Sequence, residues 1–199
     1  MNIVFDIGNV LVKWNIYRAF DHVIDDMVEI DKLLERTGFN AWNLEQDRGR
    51  SIEGAFAALE AKSPEDVIYF KDYFERFKLT VAEPIQGTWD ILHALKARDS
   101  RLFAITNWGA VTWPDALELY PELGTIFEDV VVSGHEKLIK PDPAIFQVLI
   151  DRNGLNPEDC FFIDDSPQNV AAARALGWQA HLFQHPVALK DDLTARGLL

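Results

Sequence analysis

Residues Met1–Leu11 read MNIVFDIGNVL. Asn2 to Phe5 form a short apolar run of the kind that makes a buried strand. The run stops at one carboxylate, Asp6, and the pair Gly8-Asn9 follows almost at once. A strand that ends in Asp and breaks at Gly puts that carboxylate at the carboxyl edge of a sheet. Open α/β sheets bind their ligands at that edge. Taken alone, Asp6 reads equally well as a residue that caps the next turn. The choice depends on whether other strands of the chain end in the same way.

They do. From Val81 onward the chain alternates helix with strand. Gly87 to Arg98 is amphipathic, with Ile91, Leu92 and Leu95 on one face, and Asp99-Ser100 turns the chain. Arg101–Ile105 reads as a strand that ends in Thr106-Asn107. Trp113 to Leu119 reads as helix, and Val130–Val132 as a short buried strand ending at Ser133-Gly134. Pro143 to Arg152 is a helix with Ile145, Phe146, Leu149 and Ile150 inward. Cys160–Ile163 is a strand ending in Asp164-Asp165. Ser166 and Pro167 then start a helix as N-cap and first residue, and Gly177 stops it. Gln179–Phe183 is the last strand. Short apolar strands alternating with helices predict a doubly wound parallel sheet covered on both faces.

Residues from about 16 to 78 have a different texture. Apolar residues recur there at helical spacing, as in Phe20, Val23 and Ile24, Leu33 and Leu34, Phe56 and Leu59, and Ile68, Phe74 and Phe77. Ser51 reads as an N-cap, and Ser63 before Pro64 as a helix start. Four or five short helices are expected, inserted after the first strand. This divides the chain into a core of residues 1–14 and 80–199 and a small helical cap of residues 15–79.

Bulk properties narrow the function. With 48% hydrophobic and 26% charged residues, the 199-residue chain has the composition of a globular protein with a sizeable core. No stretch approaches the roughly 18 apolar residues of a membrane span. The N-terminus lacks the basic and apolar regions of a signal peptide. The single cysteine, Cys160, excludes an internal disulfide and a thiolate metal cluster, and reads as a buried structural thiol. A cytoplasmic setting is expected. A net charge of −13 argues against nucleic acid or an anionic membrane as partner. An anionic substrate would then have to be met by local cations or by a metal. The oligomeric state stays open.

In a parallel sheet the strand ends meet on one edge. Asp6, Thr106, Asn107, Lys140 and the pair Asp164-Asp165 would therefore converge. Carboxylates without soft ligands make a hard oxygen site of the kind Mg²⁺ uses. A lysine facing that site neutralises phosphate charge. A carboxylate beside phosphate and Mg²⁺ can attack phosphorus. The plainer reading, that each is an ordinary polar cap, holds for any one residue and fails for four strand or loop ends in succession.

FDIGNVL at Phe5–Leu11, ITN at Ile105–Asn107, KPDPAIF at Lys140–Phe146 and FFIDDSPQNV at Phe161–Val170 resemble, in order and spacing, the four motifs of the haloacid dehalogenase-like hydrolase superfamily. The resemblance covers the whole chain, and the helical insert looks like the family's small cap. It is similar above all to small bacterial phosphatases with Asp-x-Gly-Asn-Val, some of which act on sugar phosphates such as glucose 1-phosphate. The resemblance implies Asp6 as nucleophile. It implies Thr106 and Asn107 as phosphoryl contacts, with Asn9 beside them, and Lys140 as the lysine holding both Asp6 and phosphate. Asp6, the Gly8 carbonyl, Asp164 and Asp165 are implied as the Mg²⁺ site. The expected activity is Mg²⁺-dependent hydrolysis of a small phosphorylated metabolite through an aspartyl phosphate on Asp6.

One departure stands out. Gly8 occupies the position where the family usually has a second Asp. That residue protonates the leaving oxygen and later activates water. Such help is worth roughly 10²–10⁴-fold. Either the leaving group needs no proton, as with an anomeric oxygen or an acyl phosphate, or another group stands in, or catalysis has been lost and binding kept. The last case is a non-catalytic phospholigand-binding protein. A 2-haloacid dehalogenase is the rival enzyme reading, since halide leaves without a proton. Gly8 and the Asp164-Asp165 pair both differ from that enzyme's pattern.

Other residues carry weaker signals. Trp108 is expected to wall the pocket or to pack in the core. His135 is a candidate stand-in acid, or a solvated loop residue. Trp14, Trp42 and Arg48 lie in or beside the insert, where they either face the substrate or serve packing and solvation. Asn169 is expected to orient an acidic ligand. Asp25-Asp26 reads as a solvated face of the insert rather than as a second metal site.

Overall fold

Five strands form the sheet: β1 (Asn2–Phe5), β2 (Arg101–Thr106), β3 (Asp129–Val132), β4 (Cys160–Asp164) and β5 (Gln179–Leu182). In the computed structural model, which describes residues 1–199, all neighbouring pairs are parallel and the order is β3-β2-β1-β4-β5. The chain builds outward from β1 through β2 and β3, then returns to the other side of β1 with β4. The connections leaving β1 and β4 therefore part in opposite directions, and a crevice opens between them at the carboxyl edge.

Apart from Arg101, the central strands β1, β2 and β4 are buried on both faces, which is why they read as unbroken apolar runs rather than alternating ones. Their side chains still alternate between two cores. Ile3, Phe5, Leu102, Ala104, Phe161 and Ile163 pack into one. Val4, Phe103, Ile105 and Phe162 pack into the other, against Ile145, Phe146 and Leu149 of helix Pro143–Asn153 and Val170 and Ala173 of helix Pro167–Ala175. Each fully buried Phe or Ile contributes roughly 1.5–3 kcal/mol.

Between β1 and the helix Gln86–Lys96 the chain is helical, with five α-helices from Tyr17–Phe20 to Tyr73–Thr80 and one 3₁₀-helix, Pro64–Phe70. This segment has an aromatic centre of its own. Phe20 lies 5.1 Å from Phe70, and Trp42 lies 5.2 Å from Phe70, measured between ring centres. The segment leaves and rejoins the sheet through two stretches that run side by side. The Lys13 N–H donates to Glu83 O at 2.8 Å, and the Asn15 N–H donates to Thr80 O at 2.7 Å. No helix is long and apolar enough to cross a membrane.

Several local expectations change in detail. Thr106 and Asp164 are the last residues of their strands rather than the first residues after them. Ser51 caps its helix through the Gly54 N–H at 3.1 Å. Ser63 does not cap with its side chain, and Pro64 opens a 3₁₀-helix. Ser166 precedes Pro167 without a side-chain cap; its own N–H is taken by Asp164 Oδ1 at 2.8 Å. The Asp164 carboxylate thus takes over the local turn that the serine was expected to make. Cys160 is buried, as its apolar run implied.

Candidate active site

Asp6 follows β1 directly. Its N–H still donates to Ile163 O of β4 at 2.8 Å, so its backbone is fixed by the sheet. Its Oδ1 accepts the Ile7 N–H at 2.7 Å. The chain then folds into a tight turn, in which the Ile7 carbonyl accepts from Val10, Leu11 and Val12. Asn9 takes a left-handed φ of 55°, a conformation that Asn tolerates better than most residues. Its Oδ1 accepts the Trp14 N–H at 3.0 Å, and its side chain also bonds Asp165. A Cβ added at Gly8 would meet nothing within 4 Å. Space therefore does not require glycine there.

Lys140 is the centre of the constellation, and its side chain has no exposure to solvent. Its Nζ lies 2.9 Å from Asp6 Oδ1 and 2.8 Å from Asp164 Oδ2, and donates to Ile105 O at 2.8 Å. All three of its protons are thereby used. Asn107 clamps the lysine's main chain. Its Oδ1 accepts the Lys140 N–H at 2.8 Å and its Nδ2 donates to the Lys140 carbonyl at 3.0 Å. Asn169 donates to both oxygens of Asp164, at 3.0 and 3.1 Å, which is the orienting contact its position suggested. Asp164 is wholly buried and fully engaged, whereas Asp165 faces the cavity. The Thr106 hydroxyl, at the end of β2, is buried without a partner.

Electrostatics make this cluster unfinished. The carboxylate oxygens of Asp6, Asp164 and Asp165 come within 4.8 Å of one another, with one ammonium among them. Burial pushes Asp6 up to about 7, against the pull of Lys140 and with repulsion from Asp164 and Asp165 added. Burial, then Asp164, also raises Asp165. Burial alone would depress the Lys140 ammonium, but Asp164 and Asp6 outweigh it and hold the group above the ordinary lysine value. A cluster of hard carboxylate oxygens with excess negative charge fits a divalent cation, which would return Asp6 to its ionised form.

A cavity of about 220 Å³ opens on this edge, with Asp6, Gly8, Asn9, Asn107, Lys140 and Asp165 on the sheet side. Trp108 and Trp14 both line it. Trp108 also packs edge-on against Phe77 and Trp113, at 5.8 and 5.7 Å. Trp42 stays inside the helical segment, with its Nε1 bonded to Ala55 O at 2.8 Å. Arg48 is exposed, pairs with Glu45 at 3.4 Å and does not line the cavity. His135 is exposed and lies off the cavity. Asp26 caps helix Met27–Thr37 through the Val28 N–H at 2.8 Å.

Two lining residues escaped the sequence reading, Asn43 and Asp47, both on helix Phe39–Asp47. The signal was present. They stand four apart and so share one helix face. A carboxylate at the last position of a helix also sits at the wrong end of the helix dipole.

Several curated relatives are named as phosphatases or as a mononucleotide hydrolase. Residues align with a phosphoglycolate phosphatase of Xylella fastidiosa at 33% identity, over 64% of this chain and 56% of that one. The match to flavin mononucleotide hydrolase 1 of Arabidopsis thaliana is 30% identical, over 57% of this chain and 46% of that one. The chain thus spans about half the length of these relatives. A HAD family enzyme of Bacteroides thetaiotaomicron, solved with magnesium and inorganic phosphate, superimposes with a TM-score of 0.74 at 21% identity. That alignment covers 92% of this chain and 93% of the other, and shows a shared fold. The model of the haloacid dehalogenase-like hydrolases matches residues 1–177. With most of its length matched to that model and its sheet built as theirs is, the chain belongs to the haloacid dehalogenase-like hydrolases.

Proposed function

We propose that this hydrolase is a Mg²⁺-dependent phosphatase of a small, otherwise uncharged phosphorylated metabolite such as a sugar phosphate. The observation that carries the reading is the buried Asp6–Lys140–Asp164 chain, with Asp165 beside it at the crevice. Asp6 is the nucleophile, held by the sheet on one side and by Lys140 on the other. Asp6, the Gly8 carbonyl and Asp165 would hold the metal, with Asp164 behind them engaged with Lys140 and Asn169. When bound, Mg²⁺ would neutralise the phosphoryl oxygens and the carboxylates together. Lys140 offsets the remaining charge, and the unpartnered Thr106 hydroxyl supplies a donor to phosphate. Asn107, with both amide atoms on Lys140, contributes by fixing that residue. Attack of Asp6 on phosphorus gives an aspartyl phosphate, which water then cleaves.

The helical segment is read as a cap that closes over the crevice and excludes bulk water. Lys140 is the only cationic side chain lining the cavity, which disfavours a substrate with a second anionic group. Trp14, Phe77 and Trp108 offer apolar faces and Asn43 a hydrogen-bonding amide, a wall suited to a sugar.

The test is phosphate release by purified protein with and without Mg²⁺, with Asp6→Asn as the blank. The panel is glucose 1-phosphate, acetyl phosphate, glucose 6-phosphate and a 2-haloacid. Mg²⁺-dependent release that vanishes in the variant is expected. Metal-independent halide release would make the protein a dehalogenase. Ligand binding with no turnover on any compound would favour the non-catalytic reading that Gly8 motivates.

A further inference from the structure

We propose that Asp47 is the proton-transferring residue of this active site, delivered from the helical segment to do what Gly8 cannot. The inference rests on the phosphatase reading and goes beyond it by filling the role that position 8 leaves open.

Four titratable side chains line the cavity: Asp6, Asp47, Lys140 and Asp165. Asp6 is the nucleophile, Lys140 has no proton to spare and Asp165 belongs to the cation site. Asp47 is the one titratable group left, and it comes from the opposite wall. In-line displacement puts the leaving oxygen on the far side of phosphorus from Asp6. That is the side the helical segment covers.

The placement of Asp47 is built with care. It ends helix Phe39–Asp47, and the end of that helix and the chain just beyond it come close to the backbone after β2 and β3 at Gly109 and Gly49, while Gly134 lets those two core segments approach each other. A Cβ at Gly49, where φ is +89°, would lie 2.5 Å from Gly134 O. A Cβ at Gly134 would lie 2.2 Å from Ala110 N, and one at Gly109 would lie 3.3 Å from Gln46 O. Side chains at these points would hold the three segments apart. Their absence lets the Gly109 N–H donate to the Asp47 carboxylate. A carboxylate at a helix C-terminus is otherwise a poor choice, since the dipole there favours cations.

The surroundings suit a group that gives a proton and takes one back. Burial pushes Asp47 up to about 7, against the pull of Lys140 and the Gly109 N–H. Tyr73, from helix Tyr73–Thr80, is its other titratable neighbour, held neutral by burial and then by Asp47, and its hydroxyl donates to Asn43 Oδ1 at 2.9 Å. Arg50 is turned away to the Trp42 carbonyl at 2.6 Å. Asp6 and Asp165 face it across the cavity. Near neutral pH both forms of Asp47 are populated, the condition under which general acid–base help is greatest.

The chemistry balances. As Asp6 bonds to phosphorus, the bond from phosphorus to the leaving oxygen breaks, and protonated Asp47 gives that oxygen its proton to release an alcohol. Ionised Asp47 then takes a proton from the water that attacks the aspartyl phosphate. The phosphorus–Asp6 bond breaks, and Asp6 and inorganic phosphate are released with Asp47 protonated again.

The experiment compares kcat/KM for an alkyl phosphate and for p-nitrophenyl phosphate, across pH, in wild type and in Asp47→Asn. Loss of the acid should cost the alkyl ester roughly 10²–10⁴-fold and the nitrophenyl ester at least tenfold less than that. The wild-type alkyl profile should fall above about pH 7, and the nitrophenyl profile should lack that limb. Equal losses on both esters, or no loss on either, would overturn the assignment. Should the variant not fold, the two wild-type profiles decide, and identical profiles would overturn it. If wild type releases phosphate from neither ester, it is the phosphatase reading that fails instead.

Discussion

A half-buried carboxylate that serves catalysis should weaken the protein that carries it, and at Asp47 the cost can be worked out. Its carboxyl rises from an ordinary 3.8 to about 7 in the folded protein. Between those values the folded state binds more protons than the unfolded chain, so stability falls as pH rises through the window. Against a neutral side chain the penalty is about 1 kcal/mol at pH 4.5 and about 4 kcal/mol at pH 8. Asp47→Asn removes it, and the amide oxygen can still accept the Gly109 N–H. Any fixed cost of the amide is the same at both pH values. Urea unfolding of wild type and variant, with chelator present, should therefore show the variant gaining up to about 3 kcal/mol relative to wild type between pH 4.5 and pH 8. A stability difference that does not change with pH would refute the burial argument. A change of opposite sign would mean that Asp47 is stabilised as an anion.

Three other substitutions probe the rest of the site. Lys140→Met leaves Asp6 and Asp164 buried without their counter-charge, and should cost about 3–5 kcal/mol in urea unfolding at pH 8; a loss below about 1 kcal/mol would contradict the geometry. Gly134→Ala drives a methyl into the backbone at Ala110 and should cost about 1–3 kcal/mol, with turnover reduced at least tenfold because Asp47 shifts. Unchanged stability and turnover would show that the close approach is not needed. Gly8→Asp enters open space, so in the Asp47→Asn background it should restore alkyl phosphate turnover at least tenfold; assays of the double variant beside Asp47→Asn check this.

The first four strands were legible because each carries a short apolar run closed by a polar or glycine punctuation, as at Phe5-Asp6 and Ile163-Asp164. Parallel strands between helices leave few ways to arrange such runs. The convergence of Asp6, Lys140 and Asp164 followed from topology, since strand ends on one edge must meet. What each residue does with its atoms was less legible. Asn107 reads as a phosphate contact and lines the cavity, but spacing gave no sign that its amide also clamps the Lys140 main chain. Ser166 reads as a cap, yet Asp164 makes that turn. Asp47 could not be found from spacing to the motifs, because its meaning depends on how a helix from another part of the chain is docked. That docking rests on close approaches at Gly49 and Gly109, with Gly134 drawing together the core backbone they meet, and the three are scattered in sequence and meet only in the fold. Arg48, the more conspicuous neighbour, faces solvent.

The central claim is that Asp6 carries the phosphoryl group. The direct measurement is acid quenching of wild type during turnover with Mg²⁺ and excess acetyl phosphate, followed by peptide mass spectrometry. The account predicts a phosphoryl group on Asp6 that is removed by hydroxylamine and absent in Asp6→Asn. Phosphate release with no modified Asp6, or with the phosphoryl group on another residue, would contradict it.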